Sequence, residues 1–306
     1  MAERLTVGGI TVELSHPGKD LFPDAGITKG DLIAYYRDVA DRMLPYLRDR
    51  PLAMARYPDG IDGQRIFQKN VPDYFPGWIR RAEVKKQDGV LHQVICDKPA
   101  TLVYLANQAC IELHIFLSRT GMLDQPDQVV FDLDPPDAGR FGLARRAALL
   151  LRDLLEDELG VTSYVKTTGG KGLHVHLALN RGSGFDEARG FARDAANLLA
   201  SRNPDWMTTE QRVQHRGGRL YLDIMRNAYA QTVAAPYTVR ARPGAHVATP
   251  VRWQEVEDDG FTPARFTLRT VPDIIAGRDD PWTGMTRHRY STAALRSRLG
   301  RLRDVP

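Results

Sequence analysis

The segment Val129-Val130-Phe131-Asp132-Leu133-Asp134-Pro135-Pro136 constrains the fold more than any other stretch of the chain. A strand sends alternate side chains to opposite faces. Val129, Phe131 and Leu133 therefore share one face, suited to a core, while Asp132 and Asp134 share the other. The paired prolines must end the strand, because proline cannot extend a hydrogen-bonded ladder. Two carboxylates one pleat apart repel each other, and the pKa of one rises unless a cation lies between them. A divalent ion with oxygen ligands meets that need. A solvated strand end whose acids pair with arginine meets it as well.

A second stretch repeats the pattern. In Arg219-Leu220-Tyr221-Leu222-Asp223-Ile224-Met225 the apolar Leu220, Leu222 and Ile224 face a core, and Asp223 lies on the other face with Tyr221. If the two strands are neighbours, three carboxylates converge, and such a set suits in-line phosphoryl transfer assisted by a metal pair. Asp124 and Asp137 lie outside these strands and read as solvated acids.

Between the two strands lies Lys166-Thr167-Thr168-Gly169-Gly170-Lys171-Gly172-Leu173-His174-Val175-His176. It is not a Walker A loop, since Gly172 stands where Ser or Thr would be required. Its glycines let backbone N–H groups approach an anion, Thr168 offers a hydroxyl, and Lys171 a positive charge. Residues 211–246 carry six arginines, including Arg226, Arg240 and Arg242, and one acid, Asp223. Guanidinium forks suit phosphate oxygens; a basic face paired with acids elsewhere is the plainer alternative. His174 and His176 share a strand face, and Cys110 and His114 have helical i, i+4 spacing, but four residues so dispersed make a poor zinc site. Lys69, Lys85 and Lys86 read as ordinary surface charges.

Composition narrows the class. The 306 residues are 26% charged and 42% hydrophobic, which excludes bulk disorder, and the formal charge of +4 is compatible with a polyanionic partner. No apolar run approaches the roughly 18 residues of a membrane span. Two cysteines, Cys96 and Cys110, cannot form a disulfide framework. The first residues lack the charged-then-apolar pattern of a signal peptide, so a cytoplasmic location is expected.

Thr28 with Asp31 predicts a helix start, followed by apolar residues at helical spacing to Leu47. The stretch 51–89 reads as loop. Helices are expected over 100–117, 143–155, 185–200 and 291–303, and strands over 129–134, 163–167, 173–179 and 220–225. The interleaving implies an α+β chain, compact, with a looser N-terminal part and no linker.

Nine short motifs, in order, resemble the polymerase domain of bacterial end-joining DNA ligase D, a branch of the archaeo-eukaryotic primase superfamily. They are His16-Pro17-Gly18-Lys19, Ile27-Thr28-Lys29-Gly30-Asp31, Arg56-Tyr57-Pro58-Asp59-Gly60, Phe67-Gln68-Lys69 and Ile111-Glu112-Leu113-His114. Phe131-Asp132-Leu133-Asp134-Pro135 and Gly169-Gly170-Lys171-Gly172-Leu173-His174 follow. The last two are Asp223-Ile224-Met225-Arg226-Asn227 and Pro236-Tyr237-Thr238-Val239-Arg240-Ala241-Arg242-Pro243-Gly244.

The resemblance implies a primase-polymerase fold, with mixed and antiparallel sheets flanked by helices around a metal-binding cleft. It implies one domain over 1–306, with a DNA-contacting part at about 1–100, a catalytic core at about 101–285 and a basic segment at 287–306. The implied activity is template-directed addition of NTPs or dNTPs to a 3′-hydroxyl at gaps or double-strand break ends. Asp132, Asp134 and Asp223 would hold two Mn²⁺ or Mg²⁺ ions. Thr168, Lys171, His174, Arg226 and Arg240 or Arg242 would hold the triphosphate, and His114 would sit near the sugar and metal site. Lys19 and Lys29 would grip a downstream 5′-phosphate, and Phe67 would stack beside a templating base. The chain departs from the family at Thr168, where Ser is usual, and at Ile66-Phe67, where two aromatics are usual. Lys86-Gln87-Asp88-Gly89 fits the short pattern of ligase adenylation sites and reads as coincidence. A stand-alone or excised polymerase is expected, with a separate ligase and an end-binding protein as partners. A non-catalytic DNA-end bridging module and a metal-dependent nuclease are the rival readings.

Overall fold

The computed structural model describes residues 3–86 and 89–303, so the Gln87 and Asp88 of the adenylation-like pattern and residues 304–306 of the basic segment lie outside the described residues. The chain folds as two compact units, each assembled from separate segments. The first runs up to Thr120 and adds Thr232–Thr249 and Ala264–Asp280; the second comprises Gly121–Gln231, Pro250–Pro263 and the chain from Pro281 on.

The first unit is built on a six-stranded sheet. Thr232–Ala234, Cys110–Phe116, Pro51–Arg56, Gly89–Ile95 and Arg81–Lys86 follow one another across it, and Ile66–Gln68 also pairs with Pro51–Arg56. Every pairing is antiparallel. Helices Lys29–Asp38 and Pro99–Asn107 pack on each other beside it. Thr28 caps the first of these: its hydroxyl accepts from the Asp31 N–H while the Asp31 carboxylate accepts from the Thr28 N–H. The buried polar groups are paired as their burial requires. Tyr35 donates to the Tyr237 carbonyl at 2.8 Å, Tyr36 to the Ile111 carbonyl at 2.7 Å, and the Leu113 N–H to the Thr238 hydroxyl at 2.8 Å.

Two expectations are corrected here. The helix expected over 100–117 stops at Asn107, and Cys110–Phe116 is a strand. Ala109, at φ 55°, turns the chain between them. A strand buried on both faces reads as an unbroken apolar run, and periodicity alone does not separate it from a helix. The stretch 51–89 is likewise not loop: Pro51–Arg56 is a central strand whose Leu52, Ala53, Met54 and Ala55 are fully buried. Its proline stands at the first position, where a strand tolerates it.

The second unit has a seven-stranded sheet in the order Met207–Thr208, Leu220–Asp223, Gln128–Asp134, Leu173–Leu179, Tyr164–Thr167, Pro250–Val251, with Arg289–Tyr290 also pairing with Leu173–Leu179. Met207–Thr208 and Arg289–Tyr290 pair in parallel with their neighbours, and the other pairings are antiparallel. Val129, Phe131 and Leu133 are fully buried, as are Leu173, Val175 and Leu177 opposite them. Helices Phe141–Asp153 and Phe185–Arg202 pack on the Gln128–Asp134 strand, with the Phe191 ring edge-on to Phe131 at 6.4 Å. Gly172 is required by this sheet: a Cβ there would lie 2.2 Å from the Leu133 carbonyl oxygen.

Candidate active site

The second unit brings the three expected aspartates to one sheet face. Asp132 lies directly opposite Asp223 on one neighbouring strand and opposite His174 on the other, and Lys166 lies opposite His174 one strand further. Directly opposed residues of an antiparallel pair have Cβ atoms about 4.5–5.5 Å apart. Asp134 is one pleat along, opposite Tyr221. The row Asp223, Asp132, His174, Lys166 thus runs across four strands.

His174 Nε2 is 3.4 Å from Asp132 Oδ1. Asp134 has Lys171 Nζ at 3.2 Å and an Arg216 guanidinium nitrogen at 3.6 Å; Arg216 also lies over the Tyr221 ring at 3.9 Å. Burial raises the Asp223 carboxyl above its ordinary value, and the Asp132 charge raises it further, against the Met225 N–H and the Arg226 charge. Asp223 Oδ1 accepts from that N–H at 2.7 Å. The turn that follows is fixed by Asn227, which exchanges two hydrogen bonds with the Val130 backbone at 2.8 and 2.7 Å. This turn carries Arg226 beside Asp223.

The glycine loop closes on Thr168. Its hydroxyl donates to the Gly172 carbonyl at 3.1 Å and accepts from the Gly170 and Gly172 N–H groups at 3.2 and 3.3 Å. Lys171 also donates to the Pro136 carbonyl at 3.1 Å, so it sits against the end of the acidic strand.

The first unit groups the remaining residues in two places. Lys29 is 5% exposed and donates to Ser15 Oγ at 3.1 Å; burial, and next the Lys19 charge, push its pKa down. Lys19 pairs with Asp59 at 2.8 Å. Two cations so close that one depresses the other suit an anionic ligand. The second group centres on His114. Phe67, 43% exposed, lies edge-on to the His114 ring at 5.6 Å, and the Arg65 guanidinium lies over Phe67 at 4.9 Å. Ile66, next to it, is 41% exposed. Arg240 lies beside Glu112, and Arg242 is exposed on the same loop.

Glu112, Arg65 and Arg216 were not singled out from the sequence. Glu112 is buried, and its carboxylate takes Arg240 Nε at 3.1 Å and the Ala241 N–H at 3.0 Å on Oε1, and His114 Nε2 at 3.0 Å on Oε2. The signal was its place two residues before His114, which puts both on one strand face.

Among the described residues no three His, Cys, Asp or Glu side chains already converge as ion ligands. The donor set still fits a hard divalent cation: Asp132 and Asp223 are opposed carboxylates whose repulsion raises one pKa, and an ion between them would relieve it. Zinc is not favoured. Cys110 and His114 lie on a strand, and burial pushes the Cys110 thiol up to about 12, away from the thiolate that binds metal. No described helix is long and apolar enough to cross a membrane.

Residues 28–282 match the family model described as LigD, primase-polymerase domain, and the chain belongs to that family. It is 36% identical over 265 residues to the bifunctional non-homologous end joining protein LigD of Bacillus subtilis, covering 86% of this chain and 42% of that protein. It is 34% identical over 306 residues to the multifunctional LigD of Pseudomonas aeruginosa, covering 98% and 36%. The chain thus spans about two fifths of these relatives. Its fold is that of the polymerase domain from Mycobacterium tuberculosis ligase D, solved in complex with DNA: TM-score 0.84, 30% identity, 90% of this chain and 98% of that one covered.

Proposed function

We propose that the chain is a DNA-repair nucleotidyltransferase that adds NTPs or dNTPs to a primer 3′-hydroxyl at gaps or break ends, directed by a template strand. The observation that carries this is the opposed pair Asp132 and Asp223, with Asp134 alongside, in a chain of the LigD primase-polymerase family. A ligase activity and an end-binding protein are the partners such a repair needs.

Asp132, Asp134 and Asp223 would hold two divalent ions, Mn²⁺ or Mg²⁺. When bound, such ions stabilise charge on the phosphoryl oxygens and lower the pKa of an attacking hydroxyl. The chain's own residues do the rest. Lys171, Arg226 and the Thr168 loop bind the triphosphate, with His174 fixed beside Asp132. In the first unit, His114, Arg240 and Arg242 are the residues for nucleotide contact, His114 near the sugar. The 3′-hydroxyl gives up its proton to solvent and attacks the α-phosphate, the bond to the β-phosphate breaks, and pyrophosphate leaves as an anion that Arg226 and Lys171 accompany. Phosphoryl transfer asks the protein mainly for positioning and charge stabilisation. Lys19 and Lys29 take a 5′-phosphate, and Phe67 stacks on a template base, a contact open to any base.

Incubation with NTP, Mn²⁺ and a primed gap should lengthen the primer, more so when the gap carries a 5′-phosphate. Lys19→Ala with Lys29→Ala should abolish that preference and leave extension on unphosphorylated gaps. Primer shortening would identify a nuclease instead, and binding without either change a bridging module.

A further inference from the structure

Glu112 takes no part in the chemistry above, yet it joins two residues that do. On the strand Cys110–Phe116, Glu112 and His114 project from the same face. The residues opposite them are short: Ala55 across from Glu112, and Ala53 and Ala234 on either side of His114. That leaves room for two long polar side chains to lie over the sheet. Both oxygens of the Glu112 carboxylate are engaged, Oε1 by Arg240 Nε and the Ala241 N–H and Oε2 by His114 Nε2 at 3.0 Å, with an Arg65 guanidinium nitrogen 4.0 Å away.

An ionised carboxylate only accepts. Burial would raise the Glu112 carboxyl, but the His114 hydrogen bond, the Arg240 charge and the Ala241 N–H together hold it well below its ordinary value. His114 Nε2 therefore carries the hydrogen. Burial pushes the imidazole pKa down, and the Arg240 and Arg65 charges add to that against the pull of Glu112. Lowered from an ordinary 6.5, it leaves the ring neutral at pH 7, so Nδ1 holds a lone pair.

We propose that Glu112 is a positioning residue: it fixes His114 in the Nε2–H tautomer, so that Nδ1 accepts a hydrogen bond from a sugar hydroxyl of the nucleotide, and it aims the Arg240 guanidinium by holding Nε. This rests on the reading that His114 and Arg240 serve the nucleotide. The tautomer, by contrast, is set within one unit and is readable without substrate. One buried carboxylate thereby ties sugar recognition to phosphate recognition.

The test compares the wild-type chain with Glu112→Gln. Nitrogen NMR of the histidine rings, on protein without nucleotide or metal, should show His114 neutral with hydrogen on Nε2. In Glu112→Gln the amide oxygen keeps Arg240 and Ala241 and the NH₂ faces the ring, so the hydrogen should move to Nδ1. In primer extension the variant should show an NTP KM raised about tenfold, the value of one hydrogen bond, with kcat changed less than about threefold. A wild-type ring bearing hydrogen on Nδ1, or on both nitrogens at pH 7, would overturn the proposal, and this reading stands even if the variant does not fold. A folded Glu112→Gln with an unchanged KM would overturn it too, leaving Glu112 a purely structural carboxylate. Failure of the nucleotidyltransferase reading would show separately, as no extension by the wild type on any substrate.

Discussion

Each unit places a carboxylate on a sheet face, Glu112 buried and Asp223 half-buried, and the two are treated in opposite ways. Glu112 is surrounded by donors and cations, and its pKa falls although burial alone would raise it. Asp223 is opposed by Asp132, and its pKa rises although a backbone N–H and Arg226 favour its charge. Removing one partner of a satisfied buried ion pair is costly, because the other charge is stranded. Removing one of two repelling carboxylates relieves strain. The first arrangement is complete as folded; the second gains from a cation. Local rules that a chain breaks at a functional site are offset elsewhere in the fold, and the dense packing around Phe131, Leu133 and Phe191 offsets this one.

The contrast is broken most readily at Asp223. Asp223→Ala should cut nucleotide addition by at least about a hundredfold, several kcal/mol of lost charge stabilisation, with DNA affinity unchanged by a binding assay. A folded, fully active Asp223→Ala enzyme would remove the acid row from the mechanism.

Stability gives the next effect. Glu112→Ala should lower the unfolding free energy by about 3–5 kcal/mol, since it removes the buried carboxylate that Arg240, the Ala241 N–H and His114 share; Asp132→Asn should leave it unchanged or raise it. Denaturant titration of both variants in the absence of divalent ions tests the opposite signs. The pH dependence follows the same division. A depressed pKa contributes stability that is present above the ordinary value, 4.5 for Glu112, and drains away as pH falls below it. A raised pKa works the other way: Asp223 costs stability as pH rises through its ordinary 3.8 and beyond. Glu112→Gln should therefore flatten the acid limb of the stability profile, and Asp223→Asn should raise stability at neutral pH.

A smaller effect sharpens the first unit's role. Phe67→Ala should weaken binding to a single-stranded template overhang by about 1–3 kcal/mol, the range for one stacked base, measured by fluorescence anisotropy. An unchanged affinity would move the template contact elsewhere.

Much of this was legible from residues alone. The alternation in 129–134 and 219–225 placed Asp132, Asp134 and Asp223 on polar faces, and the Thr28 and Asp31 pair marked a helix start that the structure reproduces. What pattern could not supply was adjacency. Glu112 becomes interesting only beside Arg240, 128 residues further along, and no local signal announces such a partner. Lys166 reads as part of a phosphate loop, yet its strand position puts it fully buried across from His174. Gly172 looks like an anion-cradle glycine, and the fold gives it a plainer reason, the Leu133 carbonyl oxygen lying where a Cβ would have to stand. The strand Cys110–Phe116 was hidden because a sheet buried on both faces erases the period that distinguishes strand from helix.

The central claim is that the opposed aspartates form a cation site serving nucleotide addition. It is tested most directly by titrating the protein with Mn²⁺ in the absence of nucleotide and following the free ion by electron paramagnetic resonance, wild type against Asp132→Asn. The account predicts that the wild type withdraws the ion signal and Asp132→Asn largely fails to; equal withdrawal by both proteins would contradict it.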